Sequence, residues 1–85
     1  MVLTYTTQGT CSRKIHLELE GDILKDVRFE GGCNGNLQGI ASLVRGMQID
    51  EIIDKLSAIR CGMRPTSCPD QLARALKSYK EEYLD

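Results

Sequence analysis

Four cysteines are spread over a chain of only 85 residues, and they constrain its fold more than any other feature of the sequence. A chain of this length buries only about 60% of the surface that its unfolded form exposes, so its core is thin. Small domains of this kind often depend on disulfides, a bound metal or an oligomeric partner for their stability. The role of the cysteines is therefore the central question about both fold and function.

Charge and hydropathy exclude several classes of protein. The chain carries 11 Lys and Arg against 12 Asp and Glu, a net charge of −1, whereas nucleic-acid and polybasic membrane surfaces need a concentrated positive field. No apolar run approaches the ~20 residues of a membrane span, and residues 1–5 do not resemble a secretory signal. We expect one cytoplasmic domain over residues 1–85, with no nucleic-acid or membrane partner and an oligomeric state that stays open.

The first third of the sequence predicts three antiparallel strands. A short strand is expected over 2–6. Alternating apolar and polar residues over 14–20 predict a second strand with one buried face. Gly21-Asp22 then predicts a two-residue type II′ turn. The return strand is expected over 23–30, with Val27 and Phe29 facing inward.

Three helical patterns follow the strands. Apolar residues recur at helical spacing over 37–44 and again over 49–56. We expect the first helix to begin near Asn36 and Gly46 to end it. The last helix is expected to begin at Ser67 or Cys68, and its predicted apolar stripe consists of Leu72, Leu76, Tyr79 and Tyr83. Strands followed by helices predict an α+β fold, with about three helices packed on one face of the sheet.

All four cysteines lie at predicted element ends. Cys11 precedes a strand, Cys33 lies in a glycine-rich loop between hairpin and helix, Cys61 lies in a connector, and Cys68 lies at a helix N-terminus. A cysteine that acts only as a small core residue usually lies within a helix or strand. The spacing contains no C-x-x-C motif of the zinc-ribbon or thioredoxin type. Three arginines lie within three residues of a cysteine and could offset negative charge on thiolates: Arg13, Arg60 and Arg64.

Three interpretations of the cysteines stay open. Two structural disulfides are disfavoured in a reducing compartment, and four buried thiols without chemistry form the second interpretation. A shared metal site is favoured because structural zinc contributes ~10–16 kcal/mol, whereas a domain of this length is typically stable by ~4–13 kcal/mol. The favoured prediction is a zinc site formed by Cys11, Cys33, Cys61 and Cys68. An iron–sulfur cluster bound by the same cysteines is the alternative cofactor. A thiol–disulfide relay between Cys61 and Cys68 is the rival function.

The single histidine, His16, lies on the polar face of the predicted hairpin. The alternation of the strand favours a solvent-facing residue. A metal-binding or proton-relay role is the alternative. No residue of the chain is predicted to be catalytic.

Residues 66–70 read Thr-Ser-Cys-Pro-Asp, and residues 31–36 read Gly-Gly-Cys-Asn-Gly-Asn. With Cys11 and Cys61, these motifs make the chain resemble a stand-alone TSCPD domain over essentially its whole length. Such domains also occur at the C-terminal end of adenosylcobalamin-dependent ribonucleotide reductases. The resemblance therefore implies a reductase, or another protein, as partner. Because 85 residues cannot hold a radical-generating barrel, a cobalamin site and a nucleotide pocket, we expect an accessory role and not the reductase activity itself.

The order of cysteines and elements also resembles that of NifU-like iron–sulfur cluster assembly scaffolds. Those proteins run from a cysteine through a strand hairpin, a glycine-flanked cysteine and two helices to a further cysteine and a C-terminal helix. By that likeness Cys11, Cys33 and either Cys61 or Cys68 are ligands. This chain lacks the scaffold's Asp after the first cysteine and its His before the third. Because of these two differences, what the resemblance implies is a NifU-like fold and not the assembly function of the scaffold.

Overall fold

The computed structural model describes residues 1–9, 12–31, 34–60, 62–63 and 66–84. Within these ranges the strands are β1 (Val2–Thr6), β2 (Ser12–Glu20) and β3 (Ile23–Gly31), and the helices are α1 (Asn34–Val44), α2 (Ile49–Leu56) and α3 (Cys68–Tyr79). A π-helical segment, the C-terminal turn (Lys80–Leu84), continues α3. The predicted α+β order of strands and then helices is confirmed. In this described part of the chain, no helix has the length and hydropathy needed to cross a bilayer.

The three strands form one antiparallel sheet in the order β1-β2-β3. Glu20 pairs with Ile23 across the predicted two-residue turn. Gly21 has a φ of 57°, as the first central position of a type II′ turn requires. At the other end of the hairpin, Ser12 pairs with Gly31. The hairpin prediction is therefore confirmed in position and in register.

One face of the sheet is covered by the helices. The alternation in β2 places Ile15, Leu17 and Leu19 on this inner face, where each is at most 2% exposed. The buried residues that pack against them from the helices and β3 are Leu24, Val27, Ala41, Val44, Ile49, Ile52, Leu72, Ala75, Leu76 and Tyr79. On the outer face, Thr4 and Glu18 are exposed. The core is therefore a single apolar layer between sheet and helices, as the periodicity predicts.

The first helix begins earlier than predicted and ends as predicted. α1 starts at Asn34, two residues before the expected cap at Asn36. Because both residues are asparagines, which favour helix starts, the sequence does not distinguish between them. The helix ends at Val44, and Gly46 has a φ of 85° that lets the chain turn. The amide of Gly46 then donates to the carbonyl of Leu24 at 2.7 Å.

The predicted apolar stripe of the last helix is wrong at one residue. Leu72, Leu76 and Tyr79 are buried, but Tyr83 is 47% exposed. After Tyr79 the α-helix becomes the π-helix of the C-terminal turn, which has more residues per turn. Tyr83 therefore no longer lies on the apolar stripe of α3. The Tyr83 ring still contacts Tyr79, with 5.5 Å between ring centroids. Tyr79 Oη donates to the Gly21 carbonyl at 2.8 Å and so ties the end of α3 to the hairpin turn.

Candidate functional site

The molecule is elongated, 34 × 21 × 20 Å, and its two ends differ. The turn end contains the Gly21 turn, the start of α2 and the end of α3. The opposite end, the cysteine end, contains the start of β2, the end of β3 and the starts of α1 and α3. We define the cysteine end by its described residues Gly9, Ser12, Arg60 and Cys68.

Cys68 is the predicted ligand that falls within the described residues. It is the first residue of α3 and is 7% exposed. The positive end of the helix dipole therefore lies at this residue and favours negative charge there. Cys11, Cys33 and Cys61 lie outside the described residues, so the four-cysteine set stays a prediction.

The described neighbours of Cys11 and Cys33 lie side by side. Ser12 directly follows Cys11, and Gly31 lies two residues before Cys33. Ser12 and Gly31 are Cα partners in the antiparallel pairing of β2 with β3. Paired Cα atoms in such a sheet are roughly 4.5–5.5 Å apart. The described strand ends nearest to these two cysteines in sequence are therefore adjacent in the sheet.

The N-terminal segment before Cys11 also contacts the start of α3. The amide of Gln8 donates to Oε1 of Gln71 at 3.2 Å. A methyl group at Gly9 would come within 3.1 Å of Cγ2 of Thr66. Because Gly9 also has a φ of 77°, both conformation and close approach favour glycine here. Two segments nearly sixty residues apart in sequence therefore meet at the cysteine end.

An open cavity of about 510 Å³ separates the start of α1 from the start of α3. Its walls include Gly35, Arg60 and Cys68. Gly35 lies two residues after Cys33, and Arg60 directly precedes Cys61. Described neighbours of Cys33 and Cys61 therefore line the same space as Cys68.

The start of α3 contains an unusual concentration of buried polar side chains. In the part of the chain that the structure describes, the buried polar residues are Thr66, Ser67, Asp70 and Gln71, each at most 4% exposed. None of the buried side-chain nitrogen and oxygen atoms described lacks a hydrogen-bond partner. Such fully paired networks are rigid, whereas a partly paired one would be costly. The motif at 66–70 therefore builds a polar core beneath the cysteine end.

Asp70 is the centre of this network. Its carboxylate accepts hydrogen bonds from the Ala58 amide at 2.7 Å and from Thr66 Oγ1, and it pairs with Arg74 Nε at 3.0 Å. Burial raises the pKa of Asp70, but the hydrogen bonds from Thr66 and Ala58 and the charge of Arg74 outweigh it and lower this pKa below its ordinary value. Asp70 therefore acts as an anion that fastens the connector to α3.

The connector residue that Asp70 holds has a strained backbone. Ala58 has a φ of 66°, and among the non-glycine residues described it is alone in the left-handed region. This conformation costs an L-residue roughly 1–2 kcal/mol. The hydrogen bond from its amide to Asp70 helps to hold it. Asp70 therefore fixes the connector at Ala58, three residues before Cys61 in sequence.

Ser67 fastens the same connector from a second position. Its Oγ donates to the Ile59 carbonyl at 2.5 Å and accepts from the Asp70 amide at 3.2 Å, which makes it the N-cap of α3. The sequence predicts a helix start at Ser67 or Cys68, but it does not predict the role of Asp70, the third residue of the helix. An acid at this position of the first turn is common in solvated helices, so the sequence carries no signal of its contact with Ala58.

Comparison with known families identifies the chain. A family model described as the TSCPD domain matches residues 2–80. The chain belongs to the TSCPD domain family. The match includes the Thr66–Asp70 motif and all four cysteine positions, so the TSCPD resemblance is confirmed. Among curated proteins and among solved structures nothing matches, and the likeness to NifU-like scaffolds stays a prediction.

His16 of this TSCPD domain lies on the outer face of the sheet, as the alternation predicts. Its Nδ1 is 3.2 Å from Thr4 Oγ1, and its Nε2 is 3.0 Å from Glu30 Oε2. The hydrogen bond with His16 lowers the pKa of Glu30. Over residues 1–9, 12–31, 34–60, 62–63 and 66–84, no three His, Cys, Asp or Glu side chains form a group that could hold a metal. His16 therefore belongs to a cross-strand pair on the polar face.

Proposed function

We propose that this TSCPD domain binds one metal ion through Cys11, Cys33, Cys61 and Cys68, with zinc as the metal. The observation that carries the proposal is that a neighbour of Cys11 pairs with a neighbour of Cys33 in the sheet, while neighbours of Cys33 and Cys61 line one cavity with Cys68. Each of the three cysteines outside the described residues directly adjoins a described residue, and consecutive Cα atoms are about 3.8 Å apart. The donor chemistry also fits, because four cysteine sulfurs form a common structural zinc site.

Local charge supports a thiolate-bound ion. Four thiolates around one Zn²⁺ carry a net charge of −2, which nearby cations would offset. Arg13 and Arg60 are exposed, and each lies within two residues of a cysteine. The N-terminus of α3 adds the positive end of its dipole at Cys68. Because four protein ligands leave no open position, the proposed role is structural, and we assign no catalytic residue.

Metal content tests this proposal directly. Protein purified without added metal is expected to hold about one zinc per chain in elemental analysis, and Cys68→Ser is expected to lose most of it. Met63→Ser is the matched control, because Met63 is also a sulfur-bearing residue near Cys61 but is fully exposed. It should keep the wild-type stoichiometry. A wild-type chain that is folded by circular dichroism and free of metal contradicts the proposal.

An absorption spectrum of the same samples distinguishes zinc from the alternative cluster. A zinc site is colourless because Zn²⁺ has a filled d shell. An iron–sulfur cluster, which four cysteines also suit, gives a brown sample with iron in the elemental analysis. The four-thiolate set favours zinc because its closed arrangement suits retention of an ion over its transfer.

The family resemblance supports an accessory role in ribonucleotide reduction, with a reductase as the protein partner. We expect purified domain to bind an adenosylcobalamin-dependent ribonucleotide reductase and to raise its turnover with a dithiol reductant. The Cys68→Ser variant tests whether the cysteine end is needed for this effect. Absence of both binding and a change in turnover would exclude the accessory role while leaving the metal site intact.

A thiol–disulfide relay is the second candidate function. Cys68 at the start of α3 shares a cavity with Arg60, the residue before Cys61, and this observation favours the candidate. Oxidation of the two thiols to a disulfide would pass two electrons and two protons to a partner disulfide by exchange. Thiol titration of anaerobic, metal-free protein against defined glutathione potentials tests it. If Cys61 and Cys68 stay reduced across the cytosolic range, the relay is excluded.

A further inference from the structure

An apolar groove runs along α1 and includes the cavity that Cys68 and Arg60 line at the cysteine end. Two cavities, of about 510 and 270 Å³, share Ile40 and Leu43 as lining residues. Leu43 is 77% exposed and Ile59 is 40% exposed. Among the described lining residues of both cavities the charged ones are Arg60 and Lys55, and no Asp or Glu is present. Because Lys55 pairs with Glu51 at 3.3 Å, the basic margin of this apolar groove lies mainly at Arg60.

The C-terminal turn has the complementary chemistry. Glu81 and Glu82 are exposed. Tyr83 and Leu84 follow them and are 47% and 38% exposed. Two carboxylates beside two exposed apolar side chains match a groove that offers apolar walls and cationic side chains.

The turn and the groove of one chain cannot meet at Arg60. This residue lies at the cysteine end beside Cys68, whereas the C-terminal turn follows Tyr79, whose hydroxyl bonds the Gly21 turn. The 12 residues of α3 separate the two regions, a length of about 18 Å at 1.5 Å per residue. Contact between a C-terminal turn and Arg60 therefore requires a second molecule.

We propose that a second copy of this chain covers the groove, with its C-terminal turn seated against Leu43, Ile59 and Arg60. A two-fold axis makes the contact reciprocal, so each chain supplies one groove and one turn. The two molecules then lie antiparallel. This proposal goes beyond metal binding and does not depend on it.

The charge pattern along the molecule supports the antiparallel arrangement. The exposed charged residues at the cysteine end are mostly basic: Arg13, Lys14 and Arg60, with Glu30 opposite Lys14. The exposed charged residues at the turn end are mostly acidic: Glu18, Glu20, Asp22, Asp50, Glu81 and Glu82, with Lys25, Arg45 and Lys77 among them. Antiparallel packing brings each basic end against an acidic end.

Sedimentation equilibrium of the full chain over a range of concentrations tests the dimer. The wild-type chain is expected to associate to a dimer, and Leu43→Glu is expected to weaken association at least about tenfold. Ser42→Glu is the matched control, because Ser42 is also exposed on α1 but does not line the groove. It should leave the dissociation constant nearly unchanged. A chain that stays monomeric at every concentration, or equal effects of the two variants, overturns the proposal.

Charge reversal provides a test of which surfaces meet. Arg60→Glu alone, and Glu81→Lys with Glu82→Lys in another chain, should each lose self-association because both contacts become repulsive. An equimolar mixture of the two variants should dimerise again, since each of its two contacts then joins opposite charges. Loss of metal or misfolding in either variant would not be repaired by mixing. Failure of the mixture to associate overturns the proposed pairing of turn and groove.

Discussion

The turn end and the cysteine end of this TSCPD domain are held together by different interactions. At the turn end, Leu24, Ile49 and Tyr79 are at most 5% exposed and pack in one apolar layer. At the cysteine end, the buried network around Asp70 is polar and fastens irregular backbone to the start of α3. Apolar packing can hold regular elements, but a connector must have its backbone hydrogen bonds supplied by side chains. The two ends therefore differ in what stabilises them, which is apolar packing at the turn end and buried hydrogen bonds at the cysteine end.

The largest effect is expected from the apolar layer. Leu76→Ala should destabilise the whole fold by about 2–5 kcal/mol, because Leu76 is fully buried and its truncation leaves a cavity. Urea denaturation monitored by circular dichroism measures this change. Leu43→Ala, measured at a protein concentration too low for self-association, is the matched control, and it should change stability by less than ~0.5 kcal/mol because Leu43 is 77% exposed in the single chain. Similar losses for the two variants would contradict the assigned core.

The next largest effect is expected from the polar network. Asp70→Asn should destabilise the fold by about 2–3 kcal/mol, because it replaces a buried acceptor of three partners with a neutral amide. Hydrogen exchange should increase first in the connector around Ala58, while the turn end keeps its protection.

The control for that variant is Asp26→Asn. Asp26 also pairs with an arginine, Arg45, at 2.7 Å, but its side chain is 53% exposed. Exposed ion pairs contribute roughly 0–1 kcal/mol, so we expect less than ~1 kcal/mol here. If Asp26→Asn lowers the free energy of unfolding as much as Asp70→Asn does, the burial of Asp70 does not explain its effect.

Low pH should lower the stability of the cysteine end by protonating Asp70. Because the folded-state pKa of Asp70 lies below its unfolded value, its contribution is complete above the unfolded pKa and is lost as pH falls through the folded pKa. Stability measured by urea denaturation should therefore fall more steeply in the wild-type chain than in Asp70→Asn over this acidic range. Parallel pH profiles would show that Asp70 does not carry the effect.

The smallest effect concerns the strained connector, and its sign is opposite. Ala58→Gly should stabilise the fold by about 0.5–1 kcal/mol, since glycine adopts a φ of 66° without the steric cost that alanine has. Ala41→Gly, in the middle of α1, should instead destabilise by at least ~1 kcal/mol. Thermal unfolding of both variants measures these two changes in stability. A destabilising Ala58→Gly would contradict strain at this residue.

The same two ends differ in how well the sequence predicts them. The hairpin follows from the alternation in β2 and from the glycine at position 21, because both signals are local. The start of α1 is ambiguous between two asparagines. The exposure of Tyr83 depends on a change from α-helix to π-helix, which the hydrophobic periodicity does not predict.

The network at the cysteine end is not predictable from local pattern. Asp70 bonds Ala58, twelve residues earlier, and Gln71 bonds Gln8, sixty-three residues earlier. Contacts of this separation depend on how helices and sheet pack together. The sequence predicts that the cysteines lie at element ends. Which ends are close in space is known only from the structure, through the pairing of Ser12 with Gly31 and the close approach of Gly9 to Thr66.

X-ray absorption at the metal edge of the purified protein tests the central claim most directly, because it counts the sulfur ligands of the bound ion. A zinc ion with four sulfur ligands at about 2.3 Å is the predicted result, and it would join Cys11, Cys33, Cys61 and Cys68 in one site. A folded chain whose metal has no more than two sulfur ligands, or that holds no metal, would contradict the account.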